Sequence, residues 1–167
     1  MKKLVLIDGH SILNRAFYGV PVFTNSKGVH TNAVYGFLNI MFKIIELQSP
    51  DYFAVTFDVH APTFRHKMFD DYKGTRKSML PELKEQVPLI KELLGKMDIK
   101  TIELEGYEAD DVLGTMSVKG EKEGMEVSII SGDRDLLQLA TDKVQICIPK
   151  TSKGQTTVEY YNADAVK

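Results

Sequence analysis

Short apolar runs alternate along most of the chain with longer amphipathic stretches. Runs of strand length rich in β-branched and aromatic residues predict β-strands over 3–7, 52–57, 99–104, 126–130 and 144–148. The segment 31–48 places Val34, Phe37, Leu38, Met41, Ile44 and Ile45 at helical intervals, and 81–97 does the same with Leu83, Val87, Ile90, Leu93 and Leu94. Each predicts one helix with a stripe facing the core. Further helices are predicted over 108–119, closing near Gly120, and over 133–140; both open with acids, which suit the positive end of a helix dipole. The alternation predicts an α/β fold built on a parallel, doubly wound sheet. A polar, turn-rich stretch at 149–156 predicts a hairpin into an edge strand at 157–161, and 162–167 reads as the first turn of a helix. The segment 59–80 shows no period and is longer than the usual connection, a property of lids and binding loops.

With 167 residues, 43% hydrophobic and 26% charged, the chain is large enough to bury a core as one domain and is unlike a disordered or collagen-like sequence. Its one cysteine, Cys147, sits between Ile146 and Ile148 and reads as a reduced strand residue, which suits a cytoplasmic protein. The run Leu4 to Ile7 is too short for the apolar region of a signal peptide, and no run approaches the ~20 residues of a membrane helix.

Charge changes the picture once its placement is considered. Asp8 follows the first apolar run and Asp58 the second; Glu108, Asp110 and Asp111 lie beyond the third, and Asp133 and Asp135 just past the fourth. Ligands of open parallel sheets bind outside the C-terminal strand ends, so these seven acids are expected to share one pocket. Like charges so placed repel one another and raise one another's pKa, which calls for a cation. Oxygen donors, with no His or Cys at ligand spacing, favour Mg²⁺ or Mn²⁺ over Zn²⁺. The net charge of −2 hides the complement: setting the seven aside from 23 Asp and Glu leaves about five surplus positive charges among 21 Lys and Arg. A basic surface around an acidic pocket suits a polyanion. Helical spacing puts Glu108 and Asp111 on one face, with Asp110 partly aside.

Each acid also has a plainer reading. Acids in a first helical turn are ordinary, Asp8-Gly9 forms a turn, and Asp133 serves as an N-cap. The four histidines, His10, His30, His60 and His66, are scattered and give no nucleophile or triad, though His10 lies close to Asp8. The long connection interleaves Arg65, His66, Lys67, Lys73, Arg76 and Lys77 with Phe64, Phe69 and Tyr72. Cations beside aromatics suit a single nucleic-acid strand. The plainer reading is a solvated loop with Phe64 and Phe69 packed beneath it.

A set of motifs then carries a resemblance. Asp8-Gly9 with Arg15-Ala16, the stretch Thr31 to Gly36, Phe57-Asp58, Thr63 to Arg65, Tyr72 to Arg76, Glu108 to Asp111 and Ser131 to Asp135 together resemble the 5′ nuclease domains of bacterial DNA polymerase I over the whole chain. These belong to the flap-endonuclease-like branch of the PIN-like fold. The resemblance implies a three-layer α/β architecture, a central mostly parallel sheet flanked by helices. It implies a metal-dependent hydrolase that removes 5′ flaps and 5′-terminal nucleotides of DNA or of RNA primers during replication and repair. It matches Asp8, Asp58, Glu108, Asp110, Asp111, Asp133 and Asp135 to metal-site carboxylates, with Asp8 and Asp58 also among the catalytic groups. Lys73 and Arg76 match a catalytic basic pair at the scissile phosphate, Tyr72 an aromatic beside that pair, and Arg15 a phosphate contact. The connection 59–80 matches an arch through which a 5′ strand passes.

Family members continue into further metal-site aspartates, a helix-three-turn-helix DNA clamp and, in many, a polymerase domain. The chain is therefore expected to be part of a longer polypeptide, weak or inactive in isolation. Three other readings stay open: a PIN-type ribonuclease, a phospho-acceptor receiver domain, and a DNA-binding fragment without catalysis. Preference for flap DNA over single-stranded RNA separates the first; the receiver pattern has no use for the acids at 108–111 or for Asp135.

Overall fold

The computed structural model describes residues 1–59, 79–152 and 155–166. In these, strand β1 (Lys3–Asp8) leads into helix α1 (Gly9–Gly19), then α2 (Asn32–Gln48), β2 (Tyr52–Thr56), α3 (Pro81–Lys84), α4 (Gln86–Lys96) and β3 (Lys100–Ile102). Helix α5 (Ala109–Lys122), β4 (Glu126–Ile130), a 3₁₀ helix (Arg134–Leu139), β5 (Val144–Ser152), β6 (Gln155–Tyr161) and a last turn, α6 (Ala163–Val166), complete the order. The six strands form one sheet in the order β3-β2-β1-β4-β5-β6, parallel except for β6, which pairs antiparallel to β5.

Alternation along the strands splits the core into two layers. Val5 and Ile7 of β1 join Val55, Phe57 and Ile130 beneath α1, α2 and α4, where Leu13, Phe37, Met41, Ile44, Ile90 and Leu94 are buried. Leu4 and Leu6 face the opposite way and join Val127, Ile129, Ile146 and Ile148 against Leu113 of α5 and Leu136 of the 3₁₀ helix. The result is helices, sheet, helices, as the sequence pattern implies.

Several boundaries differ from the sequence expectation, each for a physical reason. Helix α1 is absent from the predicted set; Asp8 ends β1 and caps α1 in one step, its carboxylate accepting from Ser11 N. Gly9 allows that abrupt change, since a Cβ there would stand 2.5 Å from both the Thr56 carbonyl and the Phe57 ring. The helix expected over 81–97 is two helices meeting at Glu85. Pro88 has no N–H to give the Lys84 carbonyl and its ring would clash there, so it is accommodated only in the first turn of a new helix. Strand β3 is shorter than 99–104 because its last ladder bond is Phe57 N to Ile102 O, and the chain then turns. Helix α5 passes buried Gly120 and stops before Gly124, whose φ of 81° suits a helix end. The element at 133–140 is 3₁₀, and β5 extends to Ser152 before the hairpin. Cys147 is a buried strand residue, its thiol pushed up to about 12 by burial.

The segment 59–80 and its cations and aromatics, Lys73, Arg76 and Tyr72 included, fall almost entirely outside the described residues. No described helix is long and apolar enough to cross a membrane.

Candidate nuclease site

Chain direction across the sheet reverses at β1: β2 and β3 lie on one side, β4 and β5 on the other. Such a switch point opens a crevice beyond the strand ends. Here a cleft of about 640 Å³ opens there, lined by Asp8, Asp58, Glu108, Asp110, Asp133 and Arg15. The carboxylates arrive from four segments: the end of β1, the residues after β2, the start of α5 and the turn after β4.

Asp8 is the most deeply set. It is buried, Ser131 Oγ donates to its Oδ2 at 2.9 Å, and Ser11 N donates more weakly to Oδ1 at 3.5 Å. Burial dominates its chemistry and lifts its pKa to about 7; the charges of Asp110 and Asp58 push the same way, against the hydrogen bonds from Ser131 and Ser11. Asp58 Oδ1 accepts from Ala109 N at 2.7 Å, tying the end of β2 to the first turn of α5. At that turn Glu108 and Asp111 form a reciprocal capping box, with Glu108 N donating to Asp111 Oδ2 at 3.0 Å. Asp133 caps the 3₁₀ helix by accepting from Asp135 N at 2.9 Å.

The expected single pocket is two adjoining clefts. Glu108 and Asp110 line both, whereas Asp111 and Asp135 line the second and not the first, beside Gly114, Thr115 and Gln138. The side chain expected to point aside, Asp110, is thus the one that shares the first cleft with Glu108, because Asp111 turns back to its cap. His10 lines the first cleft, its Nε2 donating to the Asp58 carbonyl at 3.4 Å and its ring edge-on to Phe57. Burial lowers its pKa, so it is neutral at pH 7. His30 lies elsewhere, paired with Glu85 at 2.6 Å.

Two serines had no assigned role in the sequence reading. Ser131 Oγ lies 3.2 Å from Ser11 Oγ and accepts from Asp133 N at 3.0 Å, while Gly132 N donates to Ser11 Oγ at 2.8 Å. This chain of hydroxyls joins α1, Asp8 and the turn that carries Asp133. Ser131 belongs to a motif already singled out, but its partners lie far along the chain, and nothing local signals them.

The donor set fits a hard divalent cation: every acid is an oxygen donor, and among the described residues Arg15 is the one lysine or arginine lining the first cleft. Among the described residues, no three His, Cys, Asp or Glu converge closely enough to form a ready-made ligand set. Asp58, Asp111 and Asp133 each accept one backbone N–H, which leaves acceptor sites on each carboxylate.

Comparison with known proteins accords with this geometry. The family model for the 5′-3′ exonuclease, N-terminal resolvase-like domain matches residues 3–167. DNA polymerase I of Bacillus subtilis is 52% identical over 166 residues, 99% of this chain and 19% of that protein. A 5′-3′ exonuclease of Aquifex aeolicus is 44% identical over 149 residues, 89% of this chain and 52% of its own length. The chain thus spans about a fifth of its polymerase relatives. A crystal structure of the T5 D15 protein co-crystallised with metal ions superposes with a TM-score of 0.71 at 23% identity, covering 96% of this chain and 58% of that one. That likeness places the architecture in the PIN-like fold of flap nucleases. With its motifs, its strand order and its match over residues 3–167, the chain belongs to the family of 5′-3′ exonuclease N-terminal, resolvase-like domains.

Proposed function

We propose that this chain is the catalytic core of a divalent-metal-dependent 5′ nuclease, hydrolysing phosphodiesters at 5′ ends or flap junctions of DNA, and of RNA primers paired to DNA. The observation that carries the reading is the gathering of Asp8, Asp58, Glu108, Asp110 and Asp133 on one cleft at the switch point, with Arg15 beside them. These five acids hold Mg²⁺ or Mn²⁺, and Asp111 and Asp135 support the set from the adjoining cleft. Bound there, the ion supplies activation of the attacking water and neutralisation of charge on the leaving oxygen.

The chain's own residues do the remaining work. Ser131 and Ser11 hold Asp8 and the 131–133 turn in register, and the Asp58 to Ala109 bond fixes the start of α5 against β2. Arg15 meets a phosphate oxygen. Lys73, Arg76 and Tyr72, outside the described residues, are assigned to the scissile phosphate and its neighbouring base, and 59–80 to an arch around the 5′ strand. The setting is the cytoplasm, which a free, buried Cys147 supports, and a polymerase domain in the same polypeptide is the partner to which the relatives point.

The test is Mg²⁺- and Mn²⁺-dependent cleavage of a 5′-labelled flap DNA, with single-stranded RNA in parallel and Asp110→Asn as control. Flap cuts that need metal and vanish in the variant support the reading. Preferential cutting of the RNA supports a ribonuclease instead. Flap binding without metal-dependent cutting, unchanged by the variant, supports a DNA-binding module.

A further inference from the structure

Gly132 sits in the turn between β4 and the 3₁₀ helix. Its φ lies outside the left-handed region occupied by Gly28, Gly106 and Gly124, so a positive φ is not what calls for glycine there. What leaves no room for a side chain is Arg15. A Cβ at 132 would stand 2.8 Å from both Nε and Nη2 of that guanidinium and 3.2 Å from Cζ. The long side chain from α1 therefore lies across the bare turn.

Arg15 is half-buried and lines the cleft with the five acids. Among the described residues it makes no hydrogen bond or ion pair, so packing against the turn, rather than a carboxylate, sets its place. A guanidinium held this way keeps its planar fork of donors for an incoming group. That fork matches carboxylate and phosphate alike, and phosphate is the anion an incoming nucleic acid brings. Three of the five carboxylates of the same cleft each hold a hydrogen bond to another partner: Asp8 from Ser131, Asp58 from Ala109 N and Asp133 from Asp135 N.

We infer that Gly132 is a positioning residue: by carrying no side chain it seats the Arg15 guanidinium over the 131–133 turn, at the rim of the carboxylate cleft, where it meets a phosphate of the substrate. The inference rests on the nuclease reading and deepens it. The atoms a new Cβ meets are the far end of a flexible side chain. Gly132→Ala therefore displaces Arg15 and leaves the turn and its bonds to Ser11 and Ser131 in place.

The experiment measures binding of a 5′-labelled flap DNA by fluorescence anisotropy in Ca²⁺, over a series of salt concentrations, for wild type, Gly132→Ala, Arg15→Ala and the double variant. Gly132→Ala is expected to weaken binding roughly tenfold, the size of one charge-assisted hydrogen bond. It is also expected to reduce the slope of log K against log salt by about 0.7–0.9, the signature of one lost phosphate contact. Arg15→Ala should do the same, and the double variant should bind no more weakly than Arg15→Ala alone. Wild-type affinity and slope in Gly132→Ala overturn the inference. So does a further loss when Gly132→Ala is added to Arg15→Ala, which would mark a structural effect independent of the guanidinium. Wild-type protein that binds no flap DNA at any salt sinks the nuclease reading and this inference with it; normal wild-type binding with an indifferent Gly132→Ala sinks this inference alone.

Discussion

Two buried serines three positions apart anchor polar clusters of opposite character. Ser128, inside β4, donates to Gln48 Oε1 at 2.9 Å and accepts from Gln145 Nε2 at 2.8 Å, and Gln48 Nε2 reaches Cys147 Sγ at 3.8 Å. Every member of that cluster is neutral, and the groups satisfy one another. Ser131, just past β4, instead binds a carboxylate whose pKa burial has lifted to about 7. One cluster contributes stability as a closed set. The other holds a charge at a cost, and stability optimisation alone would not place Asp8 there. Depth of burial is similar in the two; what differs is whether the polar group has been given enough partners within the protein.

The largest expected effect comes from removing the charge. Asp8→Asn should lower metal-dependent cleavage by roughly a hundredfold to a thousandfold, the range seen when one group that stabilises transition-state charge is lost. The same variant should melt at a higher temperature than wild type without metal. A variant both inactive and less stable would break the comparison, because Asp8 would then be part of the structural set.

The second expectation is a pH dependence with a definite sign. Asp8 binds its proton more tightly folded than unfolded, so its contribution is full at acid pH and is lost as pH rises to about 7. A shift of about three units bounds the loss at about 4 kcal/mol. Urea denaturation in EDTA at pH 5 and pH 8, with Asp8→Asn subtracted from wild type, isolates this term. A difference that grows in the opposite direction would contradict the assigned shift.

Next, the two serines should part company. Ser131→Ala is expected to weaken Mn²⁺ binding, followed by calorimetry, by about 10–100-fold, as for other groups that orient a ligand carboxylate. Ser128→Ala should leave that affinity alone. Smallest in functional terms is Gln48→Ala, which removes the acceptor of the Ser128 hydroxyl and should cost about 2 kcal/mol of unfolding free energy while cleavage rates stay at the wild-type level.

Legibility in the sequence follows the same division. The strands announce themselves because burial on both faces demands a short unbroken apolar run, and the long helix α2 because burial on one face imposes a period that local residues must obey. The acids at strand ends were visible for a related reason: parallel order turns positions along the chain into neighbours. Helix α1 was not visible, although Ile12, Leu13, Ala16 and Phe17 keep helical spacing, because Asp8-Gly9 also reads as a turn. The break at Glu85 was hidden beneath a continuous apolar stripe that Pro88 interrupts only at the backbone. Glu108 and Asp111 do share a face, joined by their capping box and lining the second cleft together; what helical spacing left unread is that Asp110 reaches the first cleft while the N–H of Glu108 engages Asp111. The roles of Ser11, Ser131 and Gly132 were silent for the deepest reason: what they touch is brought to them only by the assembled sheet.

The strand order also bears on when the protein comes into being as it is synthesised. Strand β1 emerges first, yet it lies at the centre of the sheet, and one of its two neighbours is β4, with Lys3 opposite Glu126 and Ile7 opposite Ile130. Until that later strand leaves the ribosome, one edge of β1 stays unpaired and Asp8 has neither Ser131 beside it nor Asp133 across the cleft. Assembly of the cleft is thus tied to nearly complete translation of this segment, and a nascent chain halted before β4 carries the first carboxylates without the cleft that would let them act.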